Sequence, residues 1–260
     1  MIRGFKRSRI ASAAVMICSV AVAVAAWFWD KDYPFFIPLI ASILMIGVGY
    51  FSSRVLGNVL ASMENTRYLG YLHMELDPDK FLNVYRDVPG QMKPGSSDAA
   101  ICRSYLADGY AASGDHGKAI QILSEDPPVD NLPVQGLYAS NRAACYLHMG
   151  RLGEADGELK NLERIIDACR LNRAELARNL ETSLKIYRQY QSCLAGAAVD
   201  VPYLEDMFQK AQYHIRRLEI AKILAQYFLR EGDPAAAEKH LSYLRENGGM
   251  TFYKRWADKY

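Results

Sequence analysis

The chain has 260 residues, half of them hydrophobic, and its 31 basic and 29 acidic residues give a net charge of +2. Leaving out residues 1–33 removes five basic and two acidic side chains, so the remainder carries 26 basic and 27 acidic residues. A region so balanced has no excess of cations to neutralise phosphates, which excludes nucleic acid as its expected partner.

Two long runs without charged side chains occupy the first fifty or so residues. Residues 10–29 form the first run, residues 34–53 form the second, and only residues 30–33 separate them. A helix of about 20 residues spans about 30 Å, the hydrocarbon thickness of a bilayer. We therefore predict a transmembrane hairpin with helix 1 at 10–29, a short external loop at 30–33 and helix 2 at 34–53. Because neither run contains an Asp, Glu, Lys, Arg or His, the hairpin is expected to be an anchor and not a conduit.

The N-terminal sequence has an alternative interpretation as a cleaved secretory signal. It is basic, and the apolar run after it contains Ala21-Val22-Ala23, which fits a cleavage site. The run nevertheless ends in Trp27-Phe28-Trp29, bulky residues that suit a membrane interface. Basic residues are concentrated in the tail at 1–9 and follow the second run at Arg54 and Arg67. The positive-inside rule thus predicts a two-span inner or plasma membrane protein with the N-terminus and the C-terminal domain in the cytoplasm.

Residues 54–97 are predicted to form a juxtamembrane helical linker. Residues 55–74 have helical periodicity that extends the second span, and residues 93–97 have the Pro-Gly-Ser composition of a flexible connection. We therefore place the soluble helical domain at residues 98–250, followed by a C-terminal tail at 251–260.

The region after residue 98 contains no period-two alternation long enough for a sheet, so we predict an all-α fold. Three segments align on Gly114, Gly150 and Gly232. In each, a small residue lies seven positions before the glycine and an aromatic residue lies four before it, while an alanine follows five after and a leucine nine after. The aligned residues are Ala107, Tyr110, Ala119 and Leu123, then Ala143, Tyr146, Ala155 and Leu159, then Ala225, Phe228, Ala237 and Leu241. Because glycine permits the left-handed conformation that ends a helix, each segment predicts an antiparallel helix pair with a tight turn.

This pattern resembles the tetratricopeptide repeat (TPR) family, whose period is about 34 residues. The first two glycines are 36 residues apart, and the next step of 82 leaves room for a further helix pair within residues 171–213 that lacks the landmarks. The chain departs from the family in having Arg142 where a leucine is expected, in lacking the family's tryptophan, and in having its closing proline only as Pro127-Pro128. The resemblance implies divergent repeats that form a TPR-like α-solenoid of antiparallel helix pairs.

The resemblance also implies a concave groove, lined by the first helix of each repeat, that binds partner peptides or helices. The implied groove residues are Ser104 and Asp108 from the first repeat, Ser140, Asn141, Ala144 and His148 from the second, and Lys222, Gln226 and Arg230 from the last. Asn141 matches a residue type common at that place in the family, where the amide can hold a ligand's backbone. The alternative is that several of these side chains only solvate the surface. The paired lysines and asparagines with which one subset of the family clamps a C-terminal carboxylate are not reproduced.

The sequence contains no catalytic, cofactor-binding or metal-ligating pattern. P-loop, GxGxxG, HExxH and GxSxG motifs are absent, and the five cysteines include no CxxC pair. We therefore expect no enzyme activity, no cofactor, no metal and no small-molecule substrate. The expected function is a membrane-anchored protein–protein interaction scaffold. The alternative is an auxiliary or assembly subunit of a multi-component membrane complex, such as a transporter or secretion machinery, in which the hairpin is an interface.

Overall fold

The computed structural model describes residues 6–29, 36–124 and 131–260, and every regular element within these ranges is a helix. The prediction of an all-α fold is confirmed for this part of the chain, and the predicted external loop at 30–33 lies outside it. The helices fall into two compact units. The first contains the chain up to Arg67 together with residues 90–92, and the second contains residues 68–89 and 93–260.

The first unit is built on two long apolar helices. α1 runs over Lys6–Trp29, and α2 runs over Phe36–His73, of which the last six residues belong to the second unit. Both helices are long and apolar enough to cross a membrane, and only 11% of the apolar window in each is buried. Helix α2 continues well past residue 53, as the periodicity of residues 55–74 predicts.

Small residues join α1 to α2. The Ser12 and Ser53 hydroxyls each donate a hydrogen bond to the other residue's backbone carbonyl, at 3.0 and 2.9 Å. Nearer the N-terminus, the Ser8 hydroxyl donates to the carbonyl of Gly57 at 2.6 Å. At Gly49 an added Cβ would lie only 2.0 Å from the Ser19 hydroxyl oxygen, so this contact requires glycine. Small side chains of this kind allow helices to pack closely without a water-driven hydrophobic effect.

The second unit contains the remaining helices in chain order. They are α3 (Pro78–Tyr85), α4 (Ser97–Ala112), α5 (His116–Ile122), α6 (Leu132–His148), α7 (Leu152–Cys169), α8 (Ala174–Leu194), α9 (Val201–Lys210), α10 (His214–Glu231), α11 (Pro234–Asn247) and α12 (Phe252–Ala257), with a short 3₁₀ turn at Pro89–Gln91 between α3 and α4. Helix α4 packs on α5, α6 on α7, and α10 on α11, while α8 contacts α6, α7 and α10. Helices α8 and α9 occupy the stretch in which the sequence predicts an additional pair, but α8 packs mainly on α7 and α6, and α9 packs on α10.

The landmark residues of the three aligned segments form the contacts within these pairs. Every landmark alanine and leucine is buried, and the members of each segment pack in a shared apolar cluster. The three glycines have φ values of +87°, +72° and +75°, so the predicted left-handed helix ends are confirmed. The residue after each glycine is the N-cap of the second helix, and at two of these positions Asp115 and Asp233 each accept a hydrogen bond from a backbone N–H three positions on, at 2.9 Å.

Part of the predicted juxtamembrane linker belongs to the second unit. Phe81, Leu82 and Tyr85 of α3 are buried, and an added Cβ at Gly109 of α4 would lie 2.6 Å from the Phe81 ring. The compact second unit therefore includes residues 68–89, which the sequence analysis assigns to the linker. The physical reason is that α3 has an apolar face whose burial requires α4.

The predicted C-terminal tail at 251–260 contains a packed helix. Tyr253 and Ala257 of α12 are buried among apolar residues of α10 and α11, and the buried Thr251 hydroxyl donates to the Gly248 carbonyl at 2.6 Å. Residues 251–260 therefore pack against the helices that precede them. Aromatic side chains in this segment gain stability by leaving water.

The left-handed turn at Gly232 provides a test of these helix ends. An added Cβ there has no atom within 4 Å, so the cost of Gly232→Ala comes from the backbone alone. We expect it to lower the free energy of unfolding by about 1 kcal/mol. Gly153, in α7, is the matched control because an added Cβ there is also in open space at an ordinary φ. Gly153→Ala should leave stability unchanged or raise it by about 0.5 kcal/mol. Chemical denaturation of the full chain in detergent measures both, and equal effects would contradict the assigned turn.

Candidate functional site

A half-open cavity of about 200 Å³ lies in the second unit, and its walls come mainly from α4, α6 and α10. These are the first helices of the three glycine-marked pairs. The polar residues that line it are His73, Asp108, His116, Asn141, His148, Arg216 and Glu219, and Tyr187, Tyr213, Phe252 and Tyr253 supply aromatic surface. The site thus combines charged, amide and imidazole groups with an apolar wall, which is typical of a binding pocket.

Four of the predicted groove residues, Asp108, Asn141, Ala144 and His148, line this cavity. The Asn141 amide donates to Asp108 Oδ1 at 2.5 Å and to the Ser104 hydroxyl at 3.0 Å. Ser104 is therefore buried beneath the cavity and supports its wall. Because the Asn141 amide nitrogen already donates to Ser104 and Asp108, its role in this structure is to position the Asp108 carboxyl.

The other predicted groove residues lie outside the cavity lining. Lys222 is buried and donates to the Tyr190 hydroxyl and to Gln226 Oε1, the latter at 3.2 Å. Arg230 donates to the carbonyls of Cys193 and Ala197, at 2.8 and 2.9 Å, and so closes the C-terminal end of α8. Ser140 is also buried. These side chains hold neighbouring helices together.

The sequence analysis missed a charged pair in the cavity wall. The Arg216 guanidinium contacts the Glu219 carboxylate at 2.6 Å and also donates to the Tyr187 hydroxyl at 3.2 Å. On the sequence the pair has the i,i+3 spacing of an ordinary surface ion pair. The position of the pair on its helix is the sequence signal that could have identified it. Glu219 lies one turn before the predicted groove residue Lys222, and Arg216 lies a further turn before Glu219.

Burial controls the protonation of the cavity groups. It raises the pKa of Asp108 to about 8, and the nearby Arg216 cation opposes part of that rise. It also lowers the pKa of His116 to about 4 and that of His148 well below its ordinary value, with Lys222 adding to both shifts. The two imidazoles are therefore neutral at pH 7, and their rings stack at 4.9 Å with 14° between planes.

Two buried ring nitrogens in the cavity wall form no hydrogen bond with the described residues. The buried Nδ1 atoms of His73 and His116 have no hydrogen-bond partner among the described residues. Cys145 also lines the cavity, but burial raises its pKa to about 12, so the thiol is protonated at neutral pH and is a poor nucleophile. No group of three or more metal-ligating side chains occurs in the described ranges. The arrangement is suited to hydrogen bonding with a partner's polar side chain or backbone.

No protein-family model, curated protein or solved structure matches the chain. The likeness to tetratricopeptide repeats therefore depends on the residues of the chain itself. Those residues are the three glycines and the alanines and leucines placed around them, whose conformation and burial are described above.

The Asp108→Asn variant tests the electrostatics of the cavity. An acid whose pKa is raised by folding contributes stability at low pH that is lost as the pH rises through the folded-state value. In the wild type, stability should therefore fall between about pH 4 and pH 8, and the asparagine variant should lack this loss. We expect the variant to be the more stable protein at pH 9 by about 1 kcal/mol or more. Thermal unfolding of the full chain in detergent from pH 5 to 9 measures the difference. Asp79→Asn, at an exposed position, is the control, and parallel curves for wild type and Asp108→Asn would contradict the assignment.

Proposed function

We propose that this chain is a membrane-anchored protein-interaction scaffold, in which divergent TPR-like helix pairs stack as an α-solenoid and bind a protein partner on the cavity side. The observation that carries the proposal is the convergence of α4, α6 and α10 on one cavity. In TPR-like solenoids the first helix of each repeat faces the concave, ligand-binding side. The left-handed glycines and the buried landmark residues recur in all three pairs, which supports the view that the pairs are equivalent repeats of such a solenoid.

The margin of the cavity has the chemistry of a protein-binding surface. Tyr213 lines it and is 57% exposed, with its ring 5.6 Å from that of His73. Exposed tyrosines beside buried polar groups are common anchors in protein interfaces, because they bury a large area and lose little conformational entropy. A partner side chain that enters the cavity would meet Asp108 and the Nδ1 atom of His116, which has no hydrogen-bond partner in the part of the chain that the structure describes.

The apolar helices α1 and α2 support the anchoring half of the proposal. Their outward-facing apolar side chains require a nonpolar environment, and the serine hydrogen bonds between them make the hairpin a unit in its own right. An anchor in the same membrane as the partner raises the partner's effective concentration, so modest contacts suffice for binding. The distribution of basic residues favours a cytoplasmic location for both the N-terminus and the helical-repeat domain.

The orientation can be checked by labelling single cysteines in intact cells with a membrane-impermeant maleimide. We expect Asp32→Cys, in the loop between the apolar runs, to react from outside. Lys259→Cys, near the C-terminus, should react only after the membrane is permeabilised. The wild-type chain gives the background from its native cysteines, of which Cys102, Cys145, Cys169 and Cys193 are buried. Reaction of Lys259→Cys in intact cells would contradict the cytoplasmic assignment.

The binding surface can be tested by replacing Tyr213 with the photo-crosslinker p-benzoylphenylalanine. The substitution keeps an aromatic ring at the cavity margin and should yield a discrete adduct with a protein in native membranes. Leu171 is the control position because it is 93% exposed and lies outside the cavity lining. An adduct from position 213 and none from 171 is the expected result. Equal adducts, or none from 213, would contradict the assignment of the partner to this surface.

An anchor exchange separates the scaffold from an assembly subunit that uses its hairpin as an interface. Residues 1–53 are replaced by an unrelated two-span hairpin of the same orientation. A scaffold should still form the Tyr213 adduct at a similar yield, whereas a subunit recognised through its hairpin should lose it. Loss of the adduct with normal membrane insertion would favour the assembly subunit.

A further inference from the structure

The C-terminal segment, residues 248–260, lies on the cavity side of the second unit. Phe252 and Tyr253 line the cavity itself. The Phe252 ring packs edge-on against His116 and His148, at centroid distances of 4.9 and 5.0 Å. The Arg255 guanidinium donates to the carbonyl of Ser113 at 2.6 Å, beside the turn between α4 and α5. The segment therefore contacts the first two glycine-marked pairs.

The same segment also contacts the last pair. The ammonium of Lys222 in α10 lies 4.9 Å from the centre of the Trp256 ring, a cation–π contact. Tyr253 packs in an apolar cluster with Leu218 and Ala221 of α10. One short segment thus touches all three pairs on the side where a TPR-like solenoid would bind its ligand.

The contacts of this segment on the cavity side resemble those of a bound peptide. Helix α12 has six residues, too few to be stable in water by itself, so its conformation depends on the surface beneath it. Phe252 and Trp256 are only partly buried, and Lys254 and Arg255 are exposed. On the cavity side its contacts are edge-on ring contacts, one cation–π contact and one hydrogen bond from an arginine, while Tyr253 and Ala257 anchor it in the apolar cluster of α10 and α11. A peptide of similar sequence offers the same cavity-side contacts.

We infer that the C-terminal segment is an intramolecular ligand of the cavity-side surface, which a partner segment of the same chemistry displaces. This inference rests on the proposed function and specifies the partner's recognised element. That element is a short helix with two adjacent aromatic residues, then two basic residues and a further aromatic one, as in Phe252-Tyr253-Lys254-Arg255-Trp256. Because the segment is tethered, its effective concentration is high, and a free partner binds only in proportion to the open fraction.

Binding in trans tests the inference on the full chain in detergent micelles. The probe is a fluorescein-labelled peptide of residues 248–260, and its binding is followed by fluorescence anisotropy. The double variant Phe252→Ala/Trp256→Ala weakens the tethered segment and leaves the buried Tyr253 in place. We expect the double variant to bind the probe at least tenfold more tightly than the wild type. Lys259→Ala, at an exposed position of the segment, should bind like the wild type, and a probe carrying the same two alanines should not bind.

A folded double variant, judged by unchanged helicity and a cooperative thermal transition, that binds no more tightly than the wild type would overturn the inference. Hydrogen exchange on the wild type supplies a second measurement that does not depend on any variant. A displaceable segment should open without unfolding the rest, so the amides of residues 256–260 should exchange at least 100-fold faster than those of residues 220–225 in α10. Equal protection of the two sets would show a fixed core element and would also overturn the inference.

The peptide and crosslinking experiments distinguish a failure of this inference from a failure of the proposed function. If the Tyr213 crosslinker captures a protein but the probe does not bind the double variant, the scaffold proposal stands and the inference fails. If the probe binds but no adduct forms, the segment is an intramolecular ligand and the scaffold proposal loses its support.

Discussion

The helical unit depends on close contact between helices at small residues. Ala119, Ala155 and Ala237 are each fully buried at the start of the second helix of a pair, opposite a small residue of the first. A larger side chain there would separate the helices and open a gap along the whole contact, because protein interiors are close-packed. Each of these alanines follows a left-handed glycine by five positions, so the turn determines which residue reaches the contact. The cavity exists where the first helices of the pairs face one another.

The local features were predictable from sequence, since their causes are local. A glycine that ends a helix and an alanine or leucine at a fixed offset from it can be recognised in one segment, and Gly114, Gly150 and Gly232 adopt the conformation expected. Of the groove residues that the family resemblance implies, Asp108, Asn141, Ala144 and His148 line the cavity, whereas Gln226 and Arg230, at matching positions before Gly232, do not.

The features that the sequence analysis missed depend on distant partners. Phe81 is buried only because Gly109, in another helix, leaves room for its ring. Tyr253 is buried by α10 and α11, and no property of residues 251–260 alone shows that they return to the cavity side. Lys222 and Arg230 were expected to face a partner, but they reach hydrogen-bond acceptors on α8 and on the residues just after it. Long cationic side chains have many possible partners, so their orientation is set by the neighbouring helices.

The position of the C-terminal segment has a consequence for biosynthesis. Arg255 and Ser113, which it joins by a hydrogen bond, are 142 residues apart in the chain. The segment is synthesised after helices α4 to α11, so these helices can emerge from the ribosome and pack before it does. During that interval the cavity-side surface is uncovered, and domains that fold as they are made can meet a partner before their own last residues arrive. A nascent chain therefore presents this surface in its open form, and the surface is first covered once residues 248–260 have emerged from the ribosome.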